Sequence, residues 1–245
     1  MPNKQRISQI IAAKIGATAQ LMNFVQTHSE TLCHSLSDLL ELPSNQENAP
    51  IVIQNLLMAK IELLEESTRQ MRDAEMAYLE EQDDDITLRG RLAEASIELD
   101  RKLRMTRDHI RQSEGPNALQ IYGLQDAPPR ARQALVSYTH NVIELLRSHP
   151  YTFTGPLGQT METRTVAVTL NDLLEPFARI VSDMDNEITE LKSALARRND
   201  AIDDWVHTYH GILLHLQGVS LIIDRHDLRE ELVVLTTKLN EHTRL

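Results

Sequence analysis

Aromatic residues are scarce in this sequence of 245 residues, where they account for 4% and include three phenylalanines and one tryptophan. β-Sandwiches and α/β sheets rely on aromatic and β-branched side chains to fill the space between their layers. The scarcity therefore argues against both classes and favours packing between helices. The eight glycines and nine prolines are clustered, which leaves long stretches free of helix breakers.

A single cysteine, Cys33, excludes an internal disulfide framework and is typical of a reducing compartment. The apolar runs are a few residues long, whereas a membrane-spanning helix needs about 20. Residues 1–6 lead into an amphipathic pattern rather than the apolar core of a secretory signal. We therefore expect a cytoplasmic protein without a membrane span.

Basic residues are also in deficit, because 25 lysines and arginines face 36 acidic residues, and the net charge is −11. Binding to nucleic acid through phosphates needs a basic surface, so we expect no nucleic-acid partner. The sequence has no glycine-rich phosphate loop, Gly-x-Ser-x-Gly elbow, Cys-x-x-Cys or His-Glu-x-x-His motif. These absences favour a non-enzymatic protein without a cofactor, although they leave the question of an enzyme open.

The strongest pattern lies between residues 171 and 217, where two apolar series alternate in the a/d rhythm of a coiled-coil seam. We predict one long helix there, starting at Thr169, Asn171 or Asp172 with Pro176 in its first turn and ending near residues 217–218. The seam is predicted to be buried against a partner helix, and its members are Leu174, Phe177, Val181, Met184, Ile188, Leu191, Leu195, Arg198, Ile202, Trp205, Tyr209, Ile212, Leu216 and Val219.

Arg198 is the one charged residue in this seam. Its side chain can extend to solvent where the helix leaves its partner. Alternatively, it forms a buried pair with an acid from a facing helix and sets the register of the two helices. The sequence favours neither interpretation.

Two further helices are predicted over residues 5–41 and from Pro50 onwards, joined by a breaker at 43–50. The acidic run Glu80–Asp85 weakens the second helix, so we predict a break or sharp kink there and a third helix over 86–112. The inward residues of this third helix are predicted to be Leu88, Leu92, Ala95, Leu99, Leu103, Thr106 and Ile110. Alternatively, the helix continues through the run, because a continuous helix would keep the inward series on one face. The residues of that series are Tyr78, Glu81, Asp85, Leu88 and Leu92.

A basic cluster follows on the third predicted helix, formed by Arg101, Lys102, Arg104, Arg107 and Arg111. Cations near a helix C-terminus are favoured by the helix dipole, so a solvated helix end explains the cluster. A second interpretation is that it accepts the acidic run of a neighbouring subunit.

Residues 151–169 form the one segment without a helical pattern, and we predict a loop or a β-hairpin with a strand at Thr163–Val168. Loops of this length are often functional, and a lone hairpin is marginal in water. We expect the segment to pack on a neighbouring subunit through Phe153, Leu157, Val166 and Val168.

These elements together predict an all-α protein, an elongated bundle of long, heptad-patterned, coiled-coil-like helices with a short irregular or β-hairpin insertion. Four segments follow along the chain and form one structural unit. They are an N-terminal helical hairpin at 1–114, a linker and short helix at 115–150, the loop or hairpin at 151–169, and the long helix with a terminal helix at 170–245.

A possible metal site comes from Asp203 or Asp204 together with His207 and His210, which project from one helical face. His-x-x-His with a carboxylate suits zinc or iron. Carboxylate-bridged di-iron bundles, however, use Glu-x-x-His motifs, and the sequence has none. A metal- or cofactor-binding bundle is therefore an alternative, and polar histidines on the helix flank are the preferred explanation of the pattern.

The function favoured by the sequence is a structural or scaffold protein that forms a homo-oligomer, or binds another helical protein, through its helical seams. The contact residues expected on the long helix are Leu195, Arg198, Trp205 and Tyr209. The alternatives are the metal- or cofactor-binding bundle and a helical membrane-acting protein that uses residues 151–169 as its membrane-contacting element.

Overall fold

The computed structural model describes residues 7–39, 49–155 and 158–243. These residues form six helices and one two-stranded sheet, and 87% of the structure is helical. The prediction of an all-α bundle of long helices with a β-hairpin insertion is confirmed. In chain order the elements are α1 (Gln9–Leu39), α2 (Ala49–Glu114), α3 (Pro116–Ile121), α4 (Arg132–Ser148), β1 (Thr152–Thr154), β2 (Thr160–Glu162), α5 (Thr163–Ile222) and α6 (His226–Thr243).

The chain divides into two compact units, and the two long helices contribute a part to each. Unit 1 comprises residues 1–80 and 192–245, and unit 2 comprises residues 81–191. The units are defined by contacts in space, whereas the four segments proposed from the sequence follow the order of the chain. That four-segment division stays a prediction.

Unit 1 is built from α1, the first part of α2, the last part of α5, and α6. Its aromatic centre consists of Trp205 and Tyr209, which are fully buried and stack with ring centroids 4.9 Å apart. Aliphatic residues at helical spacing surround them, as expected for apolar stripes that meet in one core. These include Ile11, Leu21, Leu32, Leu57, Leu64, Met71, Leu216 and Leu232.

Unit 2 is built from the rest of α2, α3, α4, the hairpin and the first part of α5. Its core is aliphatic, with Tyr122, Phe153 and Phe177 as the aromatic members. The inward residues of α2 include Leu92, Leu99, Leu103, Thr106 and Ile110, as the apolar phase of the third predicted helix indicates.

The predicted break at Glu80–Asp85 is wrong, because α2 runs without interruption from Ala49 to Glu114. Asp85 points inward and is 7% exposed, and its carboxylate accepts a hydrogen bond from Arg89 Nε one turn later, at 2.7 Å. Pairs of this i,i+4 kind support a helix. The apolar residues of α2 before and after the run are buried, and the free energy gained from this packing outweighs the weak helix propensity of the acidic run.

The long helix α5 starts at Thr163 rather than at residues 169–172. Thr163 is buried, its N–H donates to the carbonyl oxygen of Tyr151 at 3.0 Å, and its hydroxyl oxygen accepts the Tyr151 N–H at the same distance. These two bonds fix the first turn against the hairpin. Pro176 consequently lies inside the helix, where it removes one backbone hydrogen bond.

The end of α5 also differs from the prediction. The helix continues through Gly218 to Ile222, and Asp224, with a φ of 55°, ends it. Leu195 is 38% exposed, whereas the adjacent Ala194 is 1% exposed. Neighbouring helical residues point about 100° apart, so the inward side of unit 1 passes through Ala194, and burial of Leu195 against a partner helix stays a prediction.

The two strands of the hairpin, Thr152–Thr154 and Thr160–Glu162, occupy less of the chain than the predicted segment 151–169. Strands β1 and β2 are antiparallel and pair Phe153 with Met161. The expected strand at Thr163–Val168 is wrong, because these residues form the first turns of α5. Leu157 and most of the predicted breaker at 43–50 lie outside the described residues.

Candidate interaction surface

Arg198 forms a buried ion pair in unit 1, as one of its two interpretations predicted. Its Nε donates to Glu75 on α2, and the two side chains are 17% and 1% exposed. The other carboxylate oxygen of Glu75 accepts the backbone N–H of Ser8 at 3.0 Å. Burial raises the pKa of Glu75, but the bonds from Arg198 and Ser8 outweigh it and leave that pKa below its usual value.

A second polar network lies around Trp205. The indole N–H donates to the hydroxyl oxygens of Thr18 and Thr68 at 3.1 and 3.0 Å. The ammonium group of Lys14 stands 4.6 Å from the centroid of the indole ring, a cation–π contact. Burial lowers the pKa of Lys14, and the negative charge of Asp203 partly offsets the effect.

Tyr209 and Trp205 therefore belong to the interior of unit 1. Burial raises the pKa of Tyr209 to about 12, and the Tyr209 hydroxyl has no hydrogen-bond partner among the described residues. Phe153 and Val166 are likewise buried, in the core of unit 2. These four predicted contact residues are core residues of their own units, with at most 6% of their surface exposed, so they offer little surface to another chain.

Three further predicted contact residues lie within the described part of the chain and have some exposed surface. Val168 and Leu195 are 56% and 38% exposed, and their role as contact residues stays a prediction. The guanidinium group of Arg198 already forms an ion pair with the Glu75 carboxylate. The hairpin packs on its own unit through Phe153, and its contact with a neighbouring subunit stays a prediction.

The proposed metal cluster lies along the side of α5. Asp203, Asp204 and His207 are exposed, and His207 Nδ1 lies 3.0 Å from the carbonyl oxygen of Asp203 in its own helix. Within residues 7–39, 49–155 and 158–243, no group of three or more His, Cys, Asp or Glu side chains is arranged to hold a metal ion.

Unit 2 contains a cluster of carboxylates between α2 and α5. Burial raises the pKa of Glu187, and so do the charges of Glu190, Glu81, Asp84 and Asp85. One carboxylate oxygen of Glu187 and one of Asp85 are buried without a hydrogen-bond partner in the described part of the chain. Arg89 pairs with Asp85, whereas no cation of the described residues pairs with Glu187, so like charges are only partly balanced here.

A small aromatic cleft of about 280 Å³ lies beside the hairpin in unit 2. Tyr151 borders it, and its hydroxyl donates to a carboxylate oxygen of Glu114 at 2.8 Å. The volume is at the lower limit for small-molecule sites. The cleft is lined by Glu114, Asn117, Ala118, Ile121, Tyr122, Tyr151 and Phe153.

The most extended outward feature is a set of apolar residues on the solvent side of α2. In unit 1, Val52, Leu56, Ala59 and Leu63 are exposed and follow one another at spacings of four, three and four residues. We call this set the N-terminal stripe. The spacing is that of a helix–helix seam, and it is separate from the buried side formed by Leu57, Ile61 and Leu64.

The same spacing recurs in unit 2. Ile86, Gly90, Ala93 and Ile97 are all exposed, and the two isoleucines are 61% and 69% exposed. We call this set the central stripe. Its four residues lie on one side of α2, about 130° around the helix from the buried residues Leu92 and Leu99.

Sequence reasoning missed both stripes, although their spacing is visible in the sequence. A helix in a closed bundle needs only one apolar series to pack against its neighbours, and the buried series of α2 already meets that need. A search of the same segment for a second series at four-three-four spacing would have found them.

Comparison of the chain with protein-family models, with curated proteins and with solved structures gives no match in any of the three. None of the helices in the described ranges carries a stretch that is long and apolar enough to cross a lipid bilayer. The function therefore has to be inferred from the residues of the chain itself.

Proposed function

We propose that this protein is a non-enzymatic structural or scaffold protein that self-associates through exposed apolar faces of its long helices. One observation carries the proposal: α2 presents an exposed apolar stripe at seam spacing in each unit, in addition to its buried side. A helix needs one apolar face to pack into its own bundle. A second face at the spacing of a seam fits a helix that receives another helix.

The contrast with scattered surface residues supports this proposal. Single exposed apolar residues are normal on soluble proteins and need no explanation. Four successive exposed positions at four-three-four spacing, twice on one helix, are a pattern rather than a scatter. In both stripes, a leucine or isoleucine occupies the last position, and in the central stripe the first as well.

The remaining properties follow from composition and burial. We infer a cytoplasmic location, because Cys33 is the only cysteine and is free and buried. We infer that nucleic acid is not the partner, because the net charge of −11 repels phosphates. A metal-binding function has no comparable support, since no three donors converge in the described residues.

The test is the mass of the purified protein in solution. Light scattering coupled to size-exclusion chromatography measures mass independently of shape, and we expect a multiple of the 27.9 kDa chain mass at micromolar concentration. Dilution should shift the mass towards that of one chain. A mass of one chain at every concentration would contradict self-association.

A further inference from the structure

The aromatic cleft beside the hairpin is built where α2 ends. Gly115, with a φ of 80°, follows Glu114 at the end of α2, and Pro116 begins α3. Glycine adopts this left-handed conformation without strain, so the chain turns within one residue. The turn sets the residues of α3 beside the last turn of α2, and Tyr151 and Phe153 complete the lining from the side of the hairpin.

Three of the nine phenylalanine, tyrosine and tryptophan residues of the chain line this one cleft. The ring centroids of Tyr122 and Phe153 are 5.6 Å apart with the ring planes inclined at 76°, and those of Tyr151 and Phe153 are 4.8 Å apart at 60°. Tyr122 and Phe153 are buried and form the floor, whereas Tyr151 is 49% exposed and stands at the rim. Stacked rings would cover each other's faces, whereas rings inclined at these angles border a concave space from different sides.

A carboxylate lies in the same cleft, at a position where a helix does not favour one. Glu114 is the last residue of α2, where the helix dipole favours cations and disfavours acids. Within the described ranges it forms no ion pair, and Arg111, one turn before it, pairs instead with Asp108 at 3.1 Å. The Tyr151 hydroxyl donates to Glu114 at 2.8 Å and holds the carboxylate at the rim. The cleft therefore carries a negative charge that no neighbouring cation of the described residues balances.

Both tyrosines of the cleft respond to this charge. The hydrogen bond to Glu114 and the charge of Glu114 raise the pKa of Tyr151, and burial together with that charge raises the pKa of Tyr122. Each hydroxyl already donates its hydrogen, Tyr151 to Glu114 and Tyr122 to the carbonyl oxygen of His149 at 3.2 Å. A ligand therefore meets mainly aromatic and aliphatic surface with a negative charge at its edge.

We propose that the aromatic cleft binds a small organic cation with an alkylated ammonium group, of the kind that choline carries. The rings of Tyr122, Tyr151 and Phe153 attract such a cation through their electron-rich faces, and Glu114 supplies the opposite charge. An ammonium group without alkyl substituents would lose its hydrogen bonds to water on this surface, whereas a trimethylammonium group has no donor to satisfy. The volume of about 280 Å³ limits the ligand to a small molecule.

Titration of the wild-type protein with choline chloride tests the site. Saturation-transfer NMR detects weak binding through the signals of the ligand, and we expect saturable binding in the millimolar range. The control ligand is the neutral dimethylbutanol in which a carbon atom replaces the nitrogen of choline, because it has the same shape without the charge. It should bind at least about tenfold more weakly. Equal binding of the two ligands would overturn the proposal of a cation site.

A substitution at Glu114 tests the contribution of its charge. Glu114→Gln keeps the shape of the side chain and should weaken choline binding at least about threefold. Glu94→Gln is the matched control, because Glu94 is exposed on the same helix in unit 2 and its loss changes the net charge equally. It should leave binding as in the wild type. Equal weakening by both variants would indicate a general effect of net charge and would overturn the assignment of Glu114.

Substitutions at Tyr151 test the aromatic wall. Tyr151→Leu removes the ring from the rim and should weaken choline binding at least about fivefold, whereas Tyr151→Phe keeps the ring and should retain most of it. Both variants should melt close to the wild type, because the Tyr151 side chain is largely exposed. Choline binding that Tyr151→Leu leaves undiminished would overturn the aromatic site.

Vesicles distinguish a free cation from a lipid head group that carries the same trimethylammonium group. Sedimentation with phosphatidylcholine vesicles by a protein that does not bind choline in solution would overturn the free ligand in favour of the head group. A protein that binds neither choline nor the vesicles overturns the site and leaves the proposed self-association standing, since the two use different surfaces. Choline binding that Glu114→Gln and Tyr151→Leu weaken, and Glu94→Gln does not, supports the inference.

Discussion

The acid that α2 buries against α5 in unit 1 is paired on both carboxylate oxygens, whereas the acids between the same two helices in unit 2 are paired only in part. In unit 1, the Glu75 carboxylate meets the guanidinium of Arg198 and the N–H of Ser8. In unit 2, the half-buried Glu187 lies among further carboxylates, of which Asp85 is paired with Arg89. One oxygen of Glu187 and one of Asp85 have no hydrogen-bond partner in the described residues.

The pKa values of the two glutamates reflect this difference. The pKa of Glu75 is lowered although burial opposes ionisation, whereas burial and neighbouring acids both raise the pKa of Glu187. A buried charge is tolerated when its bonds replace the lost water, and it is costly when they do not. Unit 1 therefore depends on keeping its pair intact, and unit 2 is improved by losing a charge.

The largest expected effect comes from breaking the balanced pair. Arg198→Ala leaves the Glu75 carboxylate buried without its cation, and we expect a loss of about 3–5 kcal/mol in the free energy of unfolding. Chemical denaturation followed by circular dichroism measures it.

The control for this variant removes both charges. Glu75→Gln combined with Arg198→Met retains the approximate side-chain volume without a buried charge, so it should recover most of the lost stability. If Arg198→Ala alone unfolds at the denaturant concentration of the wild type, the pair is not structurally important.

The sequence revealed one half of this pair and missed the other. Arg198 was conspicuous because it interrupts an apolar series on its own helix. Glu75 lies 123 residues away and resembles any polar residue of a charged helix, since its burial depends on which helix faces it. Lys14 was missed for the same reason: its burial against Trp205 comes from tertiary packing.

The presence of the helices and the side of each helix that faces the core could be predicted from the sequence. The residues at which helices begin and end, and the elements that pack against them, could not. The apolar spacing predicted the helices and the inward residues of α2 between Leu92 and Ile110. The break at Glu80–Asp85 failed because packing on both sides overrides local propensity. The prediction of a strand at Thr163–Val168 was wrong because two hydrogen bonds between Thr163 and Tyr151 fix the start of a helix there. The β-branched residues of this segment favour a strand, and their composition carries no information about those hydrogen bonds.

A smaller effect of opposite sign is expected in unit 2. Glu187→Gln removes one charge from the carboxylate cluster and keeps the shape of the side chain, so it should stabilise the protein by up to about 1 kcal/mol at neutral pH. Asp183→Asn is the matched control, because Asp183 is exposed on the same helix and its loss changes the net charge equally. Equal stabilisation by both variants would indicate a general effect of net charge rather than relief of the cluster.

The smallest effect is the pH dependence of that stabilisation, and its sign follows from the raised pKa of Glu187. In the folded protein this carboxyl takes up a proton at a higher pH than in the unfolded chain, where the ordinary value is 4.5. The native state is therefore penalised at a pH above the raised pKa, and the penalty disappears as the pH falls through that value to 4.5. Glutamine carries no charge at any pH, so the difference in unfolding free energy between Glu187→Gln and the wild type should be greatest at neutral pH. It should shrink towards zero near pH 4.5. Denaturation curves of all three proteins at successive pH values measure the differences directly. A Glu187→Gln protein that is less stable than the wild type at neutral pH would mean that the Glu187 carboxylate is stabilised in the folded state, and the contrast between the two units would be lost.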